Sequence, residues 1–324
     1  MEDGSVELIF SEDPQETNWL ATGDDDDDDE DMKTHYKEWI EFRANEFIPT
    51  TAVVLTPRVP PGSYILKWDY QNGYPIFVKK MVKMDELLML PDPTFTSIIE
   101  DIRYFWENKK KFEEYKFNYK RGILLYGPPG SGKTSLIALL STDIINRGGI
   151  IINIKDANDL SIYSDAVGKI FRSIEPDTPI LTIMEDIDGL AQVKETETLL
   201  LNILDGAYQL SNVVYLACTN YPEKLEDRIL NRPSRFDKRY LIDLPNAEVR
   251  RFYFENKIHK DDLEKINMEE IVKATEGLSI AHLGEFVKST FIFGKSVEES
   301  IKQLSKMGEF ISSTRFNGKK KTGF

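Results

Sequence analysis

The 324-residue chain predicts an α/β protein in three layers, with a parallel sheet between helices and an all-helical lid behind it. Three observations carry this. Continuously apolar runs recur at 122–126, 149–155, 179–185, 212–220 and 238–245, among them "GIIINIK" and "NVVYLACTN". Strands apolar on both sides are covered on both faces, as parallel sheets are. Helical periodicity fills the intervals, in "SLIALLS", "DAVGKIFRSI" and "ETETLLLNILDGA". After residue 246 the strand signals stop, and a helical period runs on to 312.

Residues 1–32 form an acidic tail, expected to be disordered: 14 acids, no Lys or Arg, and eight consecutive carboxylates in "DDDDDDED". The net charge of −14 therefore belongs to the tail, since the remaining 41 acids meet 41 Lys and Arg. A docking arm for a basic partner is the alternative reading of the tail. Residues 33–93 read as a small α+β module. "HYKEWIEFRANEF" suggests a short helix; "TAVVLT", "GSYILKW" and "YPIFVKKMV" suggest strands, with a hairpin turn at Asn72-Gly73. "LPDP" at 90–93 marks a boundary. The α/β domain then spans 94–246, the helical lid 247–312 and a flexible basic tail 313–324. A single cysteine, Cys218, excludes an intramolecular disulfide. No apolar run reaches the length of a membrane span, and the N-terminus lacks the pattern of a secretory signal, so a cytoplasmic protein without a membrane partner is expected.

The chemistry centres on "GPPGSGKTS", 127–135, between strand "GILLY" and helix "SLIALLS". This fits the phosphate-loop pattern in its required context. Main-chain N–H groups of Gly127, Gly130–Gly132 and Lys133–Ser135, with Pro128 and Pro129 shaping the turn, are expected to cradle the phosphates of ATP at a helix N-terminus. Lys133 neutralises β- and γ-phosphates, and Thr134 is a ligand for Mg²⁺. Strand "PILTIMEDID" ends in Glu185 and Asp186. By position Glu185 joins the Mg²⁺ shell and Asp186 handles the attacking water, whereas Asp188 reads as structural.

The phosphate loop, "IMEDID", "ACTN" and "NRPSRFDKRY" together resemble the AAA ATPase module over roughly 94–293. "FNYKRGILLYGPPGSGKTSLI" and "LTIMEDIDGL" resemble most the branch of the Bcs-type mitochondrial chaperone. That branch shares the Glu-Asp order at 185–186, where most AAA modules place Asp first. The resemblance implies that Asn220 places the lytic water and that Arg232 and Arg235 reach the nucleotide of a neighbouring subunit. It further implies that Asp227 opens the arginine segment and that Ser279–His282 begin a lid helix near the nucleotide. Arginines acting in trans imply a homo-oligomeric ring, a hexamer or heptamer. The residues alone leave Arg232 and Arg235 open to a surface ion-pair reading.

The segment after "INIKD" lacks the aromatic–apolar–Gly triplet of peptide-threading rings; Tyr163 is its one aromatic, read as packing, with a pore-facing role as the alternative. The expected function is thus an ATP-hydrolysing ring that remodels or translocates a protein client. The competing readings are a nucleic-acid-associated ATPase of clamp-loader or helicase type, opposed by the neutral folded part, and a scaffold ring merely locked by nucleotide.

Overall fold

The computed structural model describes residues 38–50, 56–80, 88–205, 210–230, 232 and 234–311. The tails expected at 1–32 and 313–324 lie outside the described residues. The strands are β1 (Glu38–Arg43), β2 (Glu46–Thr50), β3 (Gly62–Asp69), β4 (Tyr74–Lys80), β5 (Lys120–Tyr126), β6 (Ile150–Ile154), β7 (Ile180–Met184), β8 (Val213–Thr219) and β9 (Lys238–Leu241). The helices before β6 are α1 (Pro93–Glu107), α2 (Lys109–Glu114) and α3 (Lys133–Asn146). Between β6 and β9 lie α4 (Ala157–Tyr163), a π-helical stretch (Ser164–Phe171), α5 (Arg172–Ile174), α6 (Ile187–Leu190), α7 (Lys194–Asp205) and α8 (Asp227–Leu230). The lid comprises α9 (Ala247–Lys257), α10 (Lys260–Leu263), α11 (Met268–Ala274), α12 (Ile280–Val287) and α13 (Val297–Ile311).

Among the described residues nine strands form one sheet in the order β1-β2-β4-β3-β6-β7-β8-β5-β9. The half from β3 to β9 pairs in parallel, and β1 to β4 pair antiparallel. Period two divides the apolar strand residues between two cores. Ile150, Ile152, Ile154, Met184, Val213, Tyr215 and Ala217 join one; Ile151, Leu181, Ile183, Val214, Leu216 and Cys218 join the other. The second core is closed by Phe95, Ile98 and Ile102 of α1 and by Leu136 and Leu140 of α3. A third cluster, with Phe254, Ile271, Leu283 and Phe286, holds the lid together.

The N-terminal region differs from the expected separate α+β module. Residues 38–50 are two antiparallel strands, not a helix. Asn45, at φ 65°, turns the chain between them, and its N–H donates to Glu41 Oε1 at 2.8 Å. Asparagine tolerates that left-handed conformation, so a strand reversal replaces the helical turn. β3 then pairs in parallel with β6, Gly62 against Ile150 and Tyr64 against Ile152. Trp39 and Phe77 pack with Phe171, ring centroids 4.9 to 5.9 Å apart, inside the first core. The segment thus widens the sheet of the α/β domain. The hairpin at Asn72-Gly73 forms as expected, with Gly73 at φ 74°. "LPDP" becomes a helix start: Asp92 caps α1 by accepting from Thr94 N at 2.7 Å, with Pro93 at the first position.

Candidate nucleotide site

β5, β7 and β8 deliver residues to one crevice at their carboxyl ends, where open α/β sheets bind ligands. β5 delivers the phosphate loop, and two glycines allow its path. Gly127 has φ 155°, and a Cβ there would stand 2.0 Å from the carbonyl oxygen of Ile242. Gly130 has φ 73° and lies against Ser279 and Ala281 of the lid, Ala281 N–H donating to its carbonyl at 3.3 Å. Gly132 forms the N-cap of α3 without a side-chain acceptor, which leaves the first N–H groups of a 14-residue helix for an anion.

Lys133 is buried, and its ammonium donates to the carbonyls of Gly127 and Pro128, each at 2.9 Å, and to Ser131 Oγ at 3.4 Å. Burial holds its pKa below the ordinary lysine value. The loop thereby holds this cation against its own carbonyls.

β7 ends in Glu185 and Asp186, both exposed. Asp186 takes φ 50° and ψ 46°, a left-handed conformation uncommon outside glycine, as it turns the strand into α6. Such strain at a chemical site accompanies fixed side-chain aim. Asp188, buried behind it, accepts from Thr219 Oγ1 at 2.6 Å, and Thr219 Oγ1 accepts from Tyr221 N at 2.9 Å. These bonds fix the end of β8, from which Asn220 projects, against the end of β7. Cys218, buried beside them, has its thiol pushed up to about 11 by burial, so it stays protonated and inert.

Pro129, Gly130, Gly132, Lys133, Thr134 and Ser135 line one cavity of about 560 Å³ together with Glu185, Asp186 and Asn220. The sequence-derived residues Gly127, Pro128 and Ser131 lie buried beneath it, where they support Lys133. The Thr134 hydroxyl and the Glu185 carboxylate are hard oxygen donors lining the same cavity, a donor set that fits Mg²⁺. The far wall is the lid: Tyr253, Ile280, Ala281, Gly284 and Lys288. Of these, the start of α12 was expected from the family resemblance around Ser279–His282, and the Ser279 hydroxyl accepts from His282 N at the helix start. Tyr253 and Lys288 carry no local signature; only tertiary packing brings them here.

Arg232 and Arg235 are absent from the cavity lining. Arg235 is 6% exposed and grips Asp205 at the end of α7 through two bonds of 2.8 Å, while its third nitrogen donates to the Arg228 carbonyl. Those hydrogen bonds, and the Arg235 and Arg232 charges, hold the Asp205 carboxyl below the usual carboxylate range. Arg232 is 61% exposed, with one contact to Asp205 at 3.1 Å. The two arginines therefore differ in kind. Tyr163 is fully buried, its hydroxyl 2.5 Å from Thr182 Oγ1, so the pore-facing alternative gives way to packing.

Residues 123–244 match the family model "ATPase family associated with various cellular activities (AAA)". The chain is 28% identical over 246 residues to the ATP-dependent zinc metalloprotease FtsH of Aster yellows witches'-broom phytoplasma (strain AYWB), covering 67% of this chain and 35% of that protein. It is 29% identical over 210 residues to the mitochondrial inner membrane i-AAA protease supercomplex subunit YME1 of Saccharomyces cerevisiae (strain ATCC 204508 / S288c), covering 60% of this chain and 27% of that one. It is 29% identical over 234 residues to the 26S proteasome regulatory subunit S10B homolog B of Arabidopsis thaliana, covering 61% of this chain and 55% of that one. The chain thus spans about half or less of the length of these curated relatives. Among the described residues no helix is long and apolar enough to cross a membrane. The fold, the phosphate loop and the family match together establish that this chain carries an AAA ATPase domain, with relatives among AAA proteases and proteasome subunits.

Proposed function

We propose that the chain hydrolyses ATP within a homo-oligomeric ring and spends that energy on remodelling or moving a protein client. One observation carries the catalytic part: Lys133 and Thr134 face Glu185, Asp186 and Asn220 across a single cavity. When a triphosphate enters, Lys133 exchanges its two carbonyl partners for β- and γ-phosphate oxygens. Thr134 and Glu185 would hold Mg²⁺, which supplies charge neutralisation on the phosphates. Asp186 accepts a proton from the attacking water, and Asn220 fixes that water by a hydrogen bond. The lid residues Tyr253 and Ile280 cover the nucleoside side and exclude solvent.

The ring reading rests on a deficit. Among the described residues no arginine lines the cavity, and its one lysine besides Lys133 is Lys288 of the lid. Charge on the transferring phosphate calls for an arginine, supplied here by a second copy. Arg232 is the available donor: its exposed pair with Asp205 contributes only about 0.2–1 kcal/mol. Arg235 acts behind it, holding Asp205 and the segment in place. Relatives named as proteases and a proteasome subunit support a protein client. The Glu-Asp order at 185–186 favours the Bcs-type branch within the family.

The test pairs Lys133→Ala with Asp186→Asn. Lys133→Ala abolishes nucleotide binding, and Asp186→Asn retains binding, measured with a fluorescent ATP analogue, but loses phosphate release. An Asp186→Asn protein with unmutated turnover refutes the assignment of the water to Asp186.

A further inference from the structure

Three exposed aromatics stand together at the end of the sheet remote from the nucleotide site. Tyr104 of α1 is 60% exposed, and Tyr115 and Phe117, just past α2, are 73% and 70% exposed. Lys111 links the first two. Its ammonium lies 5.5 Å over the Tyr104 ring and donates to the Tyr104 hydroxyl at 3.3 Å, and Tyr115 follows one helical turn on. Lys109, at the start of α2, bonds Asp177 ahead of β7 at 2.6 Å, which places this surface at the amino ends of the parallel strands. The backbone holds Phe117 out. Lys116 takes φ 57°, a conformation that glycine usually supplies, and the N–H groups of Lys116 and Phe117 donate to the carbonyls of Glu113 and Phe112 at 3.1 and 2.9 Å. In such a helix end the last residue commonly packs back on the helix. Here Phe112 packs into the core and Phe117 stays in water. Lys110, Lys111 and Lys116 are exposed beside these rings. Glu113 and Asp177 engage Lys109, which leaves Glu114 as the acid of α2 against them. A single exposed apolar residue needs no explanation, but grouped aromatics set among lysines mark a docking surface for an acidic partner.

We propose that residues 19–31 of this same chain dock on this surface, with Trp19 and Leu20 against Tyr115 and Phe117 and the acid run against Lys110, Lys111 and Lys116. The segment lies outside the described residues, and its sequence complements the surface: an apolar pair, then eight consecutive carboxylates from Asp24 to Asp31. Charge favours this occupant, since the acids beyond residue 32 are balanced by Lys and Arg and those before it are not. Length permits it. Trp19 stands 19 residues ahead of Glu38, a reach of about 65 Å when extended. The seven strand spacings from β1 to β5 cover about 34 Å. A tether raises the effective concentration of the segment to about the millimolar range, so individually weak exposed charge pairs suffice. The docking stands apart from the catalytic assignment, because no residue of the nucleotide cavity takes part in it.

The experiment uses the full chain. Ala21→Cys with Asn118→Cys sets one thiol beside Trp19 and Leu20 and the other beside Phe117, and buried Cys218 does not compete. Ala21→Cys with Gln71→Cys, on the β3–β4 hairpin, controls for random encounter, since that hairpin lies nearer β1 in the sheet. Under mild oxidation in about 0.01 M salt, with a screening length of about 30 Å, the first pair should form an intrachain disulfide at about fivefold or more the control yield. The excess should vanish in about 1 M salt, where the screening length is about 3 Å. It should vanish as well when Lys110, Lys111 and Lys116 are changed together to Glu. Changing Asp24 to Asp29 together to Asn should do the same while leaving α2 untouched. Equal yields at Asn118 and Gln71, or a yield indifferent to both sets of charge changes, overturn the docking. A disulfide formed only between chains overturns the assignment to the chain's own segment. Lysine-dependent binding of phosphatidylserine vesicles or single-stranded DNA, without the intrachain disulfide, overturns it in favour of an external anion.

Discussion

Replacing Arg235 and Arg232 separately by alanine should split two roles that the sequence presents as a matched pair. Arg235 is 6% exposed and makes two 2.8 Å bonds to Asp205 plus one to a carbonyl. Removing one member of a buried, hydrogen-bonded ion pair costs about 3–5 kcal/mol. Asp205 is 26% exposed and keeps Arg232, so part of its charge rehydrates, and the lower end, about 3 kcal/mol, applies. Arg232 is 61% exposed with one 3.1 Å contact, so Arg232→Ala should cost about 1 kcal/mol or less. Turnover should rank the other way. Arg232→Ala should lose about 10³-fold in phosphate release if it acts as the charge-stabilising arginine, with nucleotide affinity preserved. Urea unfolding followed by fluorescence, alongside a phosphate-release assay, reads both quantities on the same preparations. Equal destabilisation by the two substitutions, or a stable and folded Arg235→Ala protein, would refute the division of labour.

Further outcomes follow from the same geometry. Gly127→Ala places a Cβ 2.0 Å from the Ile242 carbonyl oxygen, a backbone-to-backbone clash that no side-chain rotation relieves. Nucleotide-analogue titration should show binding lost. Tyr163→Phe strips the buried Thr182 hydroxyl of its partner and should cost about 1–3 kcal/mol in urea unfolding, with turnover unchanged because Tyr163 reaches no pore. The depressed pKa of Asp205 has a sign: the folded state holds the proton less tightly than the unfolded chain, whose aspartate titrates near about 4. Its stabilisation is complete above that pH and disappears as pH falls through the folded value, so Asp205→Asn should flatten the acid limb of the stability curve.

The parts of this molecule that local physics dictates were legible in its sequence. The five parallel strands and the phosphate loop announce themselves by continuous apolar runs and by glycines whose φ no other residue adopts readily. Glu185 and Asp186 could be placed because they end such a strand, and strand ends in a parallel sheet face one crevice; Asn220 came only from the resemblance of its segment to the AAA module. What escaped depends on distant partners. Residues 38–50 carry helix-compatible composition, and their strand state comes from pairing with each other and with β4. The β3–β6 pairing joins segments far apart in sequence and has no local sign. Tyr253 and Lys288 reach the nucleotide cavity only because the lid folds onto Gly130. The arginines looked alike because "RPSRF" is silent about Asp205, which sits on another helix and decides which of them is spent in the fold.

The lateral union of β3 with β6 bears on how the protein can be cut. Trimming it to the stretch that carries the familiar motifs would strip the backbone of Ile150–Ile152 of its hydrogen-bonded neighbour and lift the aromatic roof from Phe171. A bare, flat, apolar strand border invites other chains to stack on it. A shortened enzyme prepared for biochemistry should therefore clump rather than merely lose a recognition arm, and any minimal functional unit has to begin upstream of Trp39.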